Sequence, residues 1–147
     1  GLVQFPPHDI KNHDISARKT FYNLDFRGTV LDYTRAAAES LSDLDPNKSV
    51  FPGVMMEWDN EARKPGRGVV YHGCTPEIYQ QWLDADCHNV IENKRENERF
   101  VFINAWNEWA EGTYLEPDRK HGYAYLSATA NVVAKYSHEV KTSCKFD

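Results

Sequence analysis

The sequence predicts an α/β fold in which parallel strands alternate with helices. Three short apolar segments occur in turn along the 147 residues, and each is followed by a stretch with helical periodicity. The third segment, residues 100–106, is almost wholly apolar, as expected of a strand covered on both faces in a parallel sheet. The length suits one modest domain, and 41% apolar with 27% charged residues is an ordinary globular balance.

The first unit begins with a strand predicted at residues 2–5, which ends at Pro6 and Pro7 because proline cannot donate to a ladder. A polar loop through Asn23 follows. A helix is then predicted over residues 30–44 and ends at 45–47. Its apolar side chains recur near the helical period at Val30, Ala37, Leu41 and Leu44.

The second unit has a strand over residues 50–56, with a bulge or kink expected at Pro52 and Gly53. A long loop is predicted over residues 59–73. The next helix begins with Thr75 as its cap, Pro76 in the first turn and an acidic residue at the positive end of the dipole, Glu77. Its predicted buried stripe is Ile78, Trp82, Ala85 and either Val90 or Ile91.

The third unit combines the strand at residues 100–106 with a helix over 123–136, whose predicted stripe is Leu126, Ala130 and Val133. Two architectures compete at this point. One is a small open sheet with helices on both faces, and the other is part of an eight-stranded βα barrel, which typically needs ~250 residues. Three units cannot close such a barrel, so in the second case the chain is its C-terminal part.

Composition excludes several classes of function. The net charge of −5 argues against a nucleic-acid binder, which needs a concentrated basic face. No apolar run approaches the ~20 residues of a membrane-spanning helix, and no signal segment opens the chain. Three scattered cysteines without C-x-x-C spacing, which we interpret as reduced thiols and which favour the cytoplasm, are Cys74, Cys87 and Cys144.

Chemistry-bearing residues cluster where each predicted strand ends, which is where ligands bind in parallel α/β folds. The first strand is followed by His8. The second is followed by Glu57, Trp58, Asp59, Asn60 and Arg63. The third runs into Trp106, Asn107, Glu108, Trp109, Glu111 and Gly112.

The strongest local signal is the pair Glu108 and Glu111. Positions three apart on a helical turn lie on one face, with Cβ atoms ~5–6 Å apart. Paired carboxylates at ~5–5.5 Å are typical of retaining glycosidases, in which one acts as acid and the other as nucleophile or base. Trp106 and Trp109 would supply flat faces for stacking on sugars. The alternative is a solvated helix face.

A second cluster combines Trp58, Asp59 and Asn60 with Arg63. These polar groups suit sugar hydroxyls or an anionic group, although an Asp-Asn pair equally suits a turn. His8 and His72 have no second histidine at metal spacing, so no metal is expected. No phosphate-loop or serine-hydrolase motif occurs, and no cofactor is expected.

At these residues the chain resembles a known family. The segment at residues 102–118, which contains N-E-W-A-E-G, is similar to the WbsX-like glycosyltransferase family of polysaccharide and lipopolysaccharide biosynthesis, which is related to the endo-α-mannosidases of glycoside hydrolase family 99. The segments at residues 4–8, 51–63 and 75–83 agree with the same family in the same order.

The resemblance implies a (β/α)8 barrel, of which residues 1–147 form one C-terminal catalytic part truncated at its N-terminus. It implies that Glu108 is the base that assists the sugar's 2-hydroxyl, that Glu111 is the general acid, and that the reaction retains configuration through an anhydrosugar. It places four residues in the donor or glycone subsite: Trp58, Asp59, Asn60 and Arg63.

The sequence therefore predicts a carbohydrate-active enzyme, performing glycosyl transfer or retaining hydrolysis, with Glu108 and Glu111 as its catalytic pair. Eight residues are expected to contact the glycan: His8, Trp58, Asp59, Asn60, Arg63, Trp106, Asn107 and Trp109. The alternative is a non-catalytic glycan-binding module on the same scaffold. The expected partner is a carbohydrate, with no nucleic acid and no membrane span, and the oligomeric state stays open.

Overall fold

The computed structural model describes residues 1–8, 10–42 and 50–143, and this part of the chain is a mixed α/β structure. Its helices are α1 (Tyr33–Ser42), α2 (Pro76–Asn93) and α3 (Ala124–Ser143). Its strands are β1 (Leu2–Val3), β2 (Thr29–Asp32), β3 (Val50–Phe51), β4 (Gly53–Met55), β5 (Val69–His72), β6 (Phe102–Asn104), β7 (Asn107–Glu108) and β8 (Thr113–Tyr114). The predicted first-helix end at 45–47, Leu44 and Cys144 lie outside the described residues.

Parallel pairing is confirmed for the three predicted strands. β1 pairs with β3, and β4 pairs with β6. β3 and β4 are separated only by Pro52, so the interruption expected in the second strand is confirmed. The strands therefore lie side by side in chain order, and each is followed along the chain by one of the three helices.

The start of the first helix was predicted wrongly. Residues 29–32 form β2, a parallel partner of β5, and α1 begins only at Tyr33. Val30 and Leu31 are buried in this pairing, so their apolarity reflects a strand. The helix starts where it does because the Asp32 carboxylate accepts the Arg35 backbone N–H at 3.1 Å, as an N-cap does.

The loop predicted over residues 59–73 contains the other half of this ribbon, β5. Its sequence, Val-Val-Tyr-His, favours a strand, but the preceding cluster of Gly, Pro and Lys obscures that signal. The first and second βα units each contribute one strand of the β2–β5 ribbon, just before their helix, and the ribbon was missed as a unit.

The start of α2 is confirmed. Thr75 adopts extended backbone angles, its hydroxyl accepts the Ile78 N–H at 3.3 Å, and Pro76 is the first helical residue. Among the predicted stripe, Trp82 and Val90 are buried. The other residues that α2 buries are Tyr79, Leu83 and Asp86.

The buried face of α3 differs from the predicted stripe. Val133 is 55% exposed and Ala130 is exposed, whereas the inward face carries Tyr125, Ala128, Val132 and Tyr136. Two of these are tyrosines, which bury their rings and direct their hydroxyls to partners: Tyr136 donates to the Asp84 carbonyl at 3.1 Å. A stripe drawn from aliphatic residues alone was therefore shifted by one position.

The core lies between the parallel strands and the helices. Val54, Met55 and Met56 are fully buried, and they contribute to one cluster with residues of α1, α2 and α3. Tyr33 of α1 packs edge-on against Trp82 and donates from its hydroxyl to the Met55 carbonyl at 2.7 Å. These two contacts of Tyr33 fix α1 against β4 and α2.

The expectation that the third strand is covered on both faces is wrong for the described part of the chain. Only residues 102–104 are strand, and Phe100 and Phe102 are 53% and 43% exposed. Here β6 pairs with β4 alone, so one edge has no partner. Leu2 and Phe5, at β1, are likewise exposed.

None of the described helices is long and apolar enough to cross a membrane.

Asp86 is a buried carboxyl group in the interior of α2. Its side chain is fully buried, and neither carboxylate oxygen has a hydrogen-bond partner among the described residues. Burial raises the pKa of Asp86 to about 8, and the nearby Trp82 indole offsets this only in part. The group therefore remains protonated in the folded protein at neutral pH.

We expect Asp86 to make stability depend on pH. The carboxyl titrates near 3.8 when unfolded and at about 8 when folded, so between these values the folded state holds a proton that the unfolded chain has lost. The proton held by folded Asp86 therefore makes the free energy of unfolding greatest below pH 3.8. This contribution is lost progressively as the pH rises through 8. Asp86→Asn should remove this dependence and raise the melting temperature at pH 8.5, as measured by thermal denaturation. A parallel decline in the wild type and the variant from pH 5 to 8.5 would contradict the assignment.

Candidate active site

The segments that follow the three parallel strands converge. The side-chain amide of Asn104, at the end of β6, donates to the Pro6 carbonyl at 2.8 Å. The Gln4 N–H donates to the Phe51 carbonyl at 2.9 Å. The carboxyl ends of β1, β4 and β6 are thereby held at one place, as ligand sites in parallel α/β folds require.

Glu111 joins the segment after β6 to the segment after β4. Its carboxylate forms an ion pair with Arg63 at 2.7 Å, and its carbonyl accepts the Asp59 N–H at 2.8 Å. The Glu111 side chain is 24% exposed and that of Arg63 is 53% exposed. The structure thus brings together Glu111, Asp59 and Arg63, which the sequence had placed in two separate clusters.

Glu108 immediately precedes the 3-10 turn Trp109–Glu111, and Glu111 is the last residue of that turn. Glu108 ends β7, which pairs antiparallel with β8, so the turn closes a short hairpin. Glu108 has non-helical backbone angles (φ −81°, ψ 67°), so the spacing of a helical turn does not describe the pair. The Glu108 side chain is half-buried and has no hydrogen-bond partner in the described part of the chain.

The Trp109 side chain is held as a rigid platform. Its ring stacks on Tyr114, with centroids 3.8 Å apart and planes at 16°. Its indole N–H donates to Glu116 at 2.6 Å, and the residue is 49% exposed. Trp106 is 54% exposed, and Asn107 is exposed and pairs with Tyr114 in the hairpin. Both indoles at the end of the third strand therefore present surface to solvent.

Trp58 is placed differently from these two tryptophans. It is 3% exposed and belongs to the core cluster. His8, which is exposed, approaches the Trp58 ring edge-on with centroids 6.0 Å apart. Trp58 therefore packs in the core beneath the segment after β4, and His8 contacts its ring from the protein surface.

Asp59 and Asn60 bond to the loop in which they lie. The Asp59 carboxylate accepts the Glu61 N–H at 2.9 Å, and the Asn60 side-chain oxygen accepts the Val69 N–H at 2.7 Å. Asn60 is 6% exposed. The turn, which the sequence left open as one interpretation, is thus present. It positions Arg63, whose N–H donates to the Asn60 carbonyl at 3.0 Å.

Sequence reasoning did not assign the cluster around Glu57. This carboxylate, directly after the second strand, accepts hydrogen bonds from three groups: Lys120 at 3.0 Å, His121 at 3.0 Å and the Tyr125 hydroxyl at 3.1 Å. Burial raises the pKa of the Cys74 thiol, and the Glu57 charge adds to this effect. The only available signal was the position of Glu57 at a strand end.

No group of three or more histidine, cysteine or acidic side chains in the described ranges could hold a metal ion. Burial also raises the pKa of the Cys87 thiol to about 11, and both Cys74 and Cys87 are free thiols.

Gly112 allows the close approach of the two segments. Its φ is +63°, and a Cβ there would lie 2.9 Å from the Asp59 backbone nitrogen. Gly122 has a similar φ of +56°, but nothing lies within 4 Å of its Cβ position. The two glycines therefore form a matched pair, since they share the backbone conformation and differ in crowding.

We expect Gly122→Ala to lower the free energy of unfolding by about 1–2 kcal/mol, the usual cost of a left-handed residue with a side chain. Gly112→Ala should lower it by more, because the new methyl group also displaces the Asp59 backbone. Chemical denaturation of both variants measures the difference. Equal losses would mean that the Asp59–Gly112 contact does not constrain the fold.

Comparison with known proteins agrees with the resemblance seen in the motifs. The profile of the family described as Glycosyltransferase WbsX matches residues 2–129. A protein named WxcX from Xanthomonas campestris pv. campestris is 40% identical over 135 residues, and its counterpart in strain B100 is 39% identical. The match covers 92% of this chain and 19% of each relative, so the chain spans about a fifth of their length. No solved structure matches. The chain belongs to the WbsX glycosyltransferase family.

Proposed function

We propose that the chain carries the catalytic pair of a carbohydrate-active enzyme, with Glu108 and Glu111 acting on a glycosidic bond. Membership of the WbsX glycosyltransferase family supports a carbohydrate substrate. The observation that carries the assignment of the site is the ion pair between Glu111 and Arg63, at 2.7 Å. It holds one of the two carboxylates at the carboxyl ends of adjacent parallel strands, next to exposed tryptophan rings.

In the proposed reaction, Glu108 accepts the proton of the 2-hydroxyl group as its oxygen attacks the anomeric carbon. Glu111 gives a proton to the leaving oxygen as the glycosidic bond breaks. In the second step Glu111 takes the proton of the acceptor, which attacks the anomeric carbon of the anhydrosugar, and Glu108 returns its proton to the 2-oxygen. Two inversions at the same carbon retain the configuration. Water as acceptor gives hydrolysis, and a sugar hydroxyl gives transfer. The half-buried Glu108 carboxylate has no competing hydrogen bond among the described residues, which suits a base.

Arg63 gives this mechanism a specific requirement. An ion pair suits the ionised form of Glu111, whereas a general acid must carry a proton. Glu111 must therefore exchange the Arg63 contact for a proton before it can act. A substrate oxygen that accepts from the Arg63 guanidinium would release Glu111, and this would couple substrate binding to activation of the acid.

We also propose that the three βα units belong to a (β/α)8 barrel, as a single partial catalytic domain. The parallel strands lie in chain order with helices between them, as in such a barrel. Apolar side chains stay exposed on the two outer strands, at Leu2 and Phe102, and just after β1, at Phe5. A cavity of about 550 Å³ between α2, α3 and β6 is lined largely by apolar residues. Further barrel strands and helices would cover both surfaces.

A non-catalytic glycan-binding module is the second candidate. The exposed faces of Trp106 and Trp109, which are 54% and 49% exposed, would bind a sugar whether or not a bond is broken. The two candidates differ in turnover alone.

Glu111→Gln in the full-length protein should lower the rate of glycosyl release or transfer by at least about 100-fold, because the general acid is lost. Sugar binding, measured by calorimetry, should persist. The matched control is Glu98→Gln, an exposed glutamate on the 3-10 turn before β6. Unchanged turnover in Glu111→Gln excludes the assignment, and glycan binding without turnover in the wild type favours the binding module.

A further inference from the structure

An open groove lies beside the Trp109 platform. Its volume is about 670 Å³, and six residues line it: Trp109, Tyr114, Pro117, Asp118, Arg119 and Lys120. We call it the Trp109 groove. Neither Glu108 nor Glu111 is among these residues, so the groove adjoins the proposed catalytic pair without containing it.

The aromatic wall of the groove is fixed on several sides. Trp109 stacks on Tyr114 and donates to Glu116. Tyr114 donates from its hydroxyl to Asp118 at 3.0 Å. A wall held in this way loses little conformational freedom when a ligand stacks on it. Its flat apolar face suits the C–H face of a pyranose ring.

The other two charged residues that line the groove, Asp118 and Lys120, already have hydrogen-bond partners. The two carboxylate oxygens of Asp118 accept from the Tyr114 hydroxyl and the His121 N–H. Partial burial opposes ionisation of Asp118, but these hydrogen bonds prevail and hold its pKa below the ordinary value. Lys120 pairs with Glu57 at 3.0 Å, although an ammonium has three N–H groups and this contact uses one.

Arg119 is the exception among the lining charges. It is exposed, and its guanidinium has no partner within the described part of the chain. The donors to Asp118 are neutral groups that leave its negative charge in place, and Lys120 pairs with Glu57, so Arg119 is the cation of the groove that is available to an anionic ligand. A guanidinium binds a carboxylate or a phosphate through two parallel hydrogen bonds.

We propose that the Trp109 groove binds a sugar unit that carries an anionic group, with the ring on Trp109 and the anion on Arg119 and Lys120. This inference rests on the proposed function, since it names the class of glycan that the same enzyme takes. The anion is a uronate carboxylate or a sugar phosphate, which share this recognition chemistry.

The test is equilibrium binding to the full-length protein, with no turnover required. The probes are three hexoses of gluco, galacto and manno configuration, each compared with its hexuronate and its 1-phosphate. We expect at least one anionic form to bind about fivefold more tightly than its neutral hexose, as for an exposed charge pair. The preference should shrink as salt is raised. Preference for the hexuronate or for the 1-phosphate identifies the source of the anion.

The decisive variant is Arg119→Gln, and its matched control is Arg95→Gln, an exposed arginine outside the groove. Arg119→Gln should abolish the anionic preference and leave neutral binding unchanged, whereas Arg95→Gln should change neither. Absence of an anionic preference in all three configurations overturns the proposal, as does an equal effect of the two variants.

Failure of this inference is distinguishable from failure of the proposed function. Turnover of neutral glycans that requires Glu111, without anionic preference in binding, rejects the groove assignment alone. Anionic preference lost in Arg119→Gln, in a protein that turns over no glycan, rejects catalysis and retains the groove.

Discussion

The double contact of Glu111 with the segment after β4 is the constraint on which the site depends. The Glu111 carbonyl accepts the Asp59 N–H at 2.8 Å, and its carboxylate pairs with Arg63 at 2.7 Å. Backbone and side chain of one residue thus fix the hairpin against the neighbouring loop. The hairpin lies so close to the Asp59 backbone that Gly112 has no room for a side chain. Catalytic groups contributed by different strands need positioning of this kind.

The sequence predicted well where a local signal determined the structure. The Thr75 cap with Pro76 predicted the start of α2, and the Pro52 interruption predicted the break between β3 and β4. The sequence-based prediction failed where the structure of a segment depends on the strand with which it pairs. Val30 fits the predicted helical stripe as well as it fits a strand until β5 pairs with it, and β5 lies about 40 residues further along the chain.

The candidate site shows the same division. The sequence identified Glu108, Glu111, Trp109 and Arg63 as residues of interest from their position after strands, and the structure supplies the Arg63–Glu111 contact. It could not separate Trp58 from the other tryptophans, because only packing shows that Trp58 is in the core. Nor could it find Arg119, since only the structure shows that this loop arginine lines the groove beside Trp109.

The Glu57 cluster has a consequence for how the neighbouring loop tolerates a change of partner. One carboxylate oxygen receives Lys120, His121 and Tyr125 together, and each comes from the loop or the start of α3. If Lys120 turned towards another acceptor, two donors would still satisfy the oxygen. The contacts of His121 and Tyr125 with Glu57 therefore hold the loop against the end of β4 even when Lys120 turns away from Glu57.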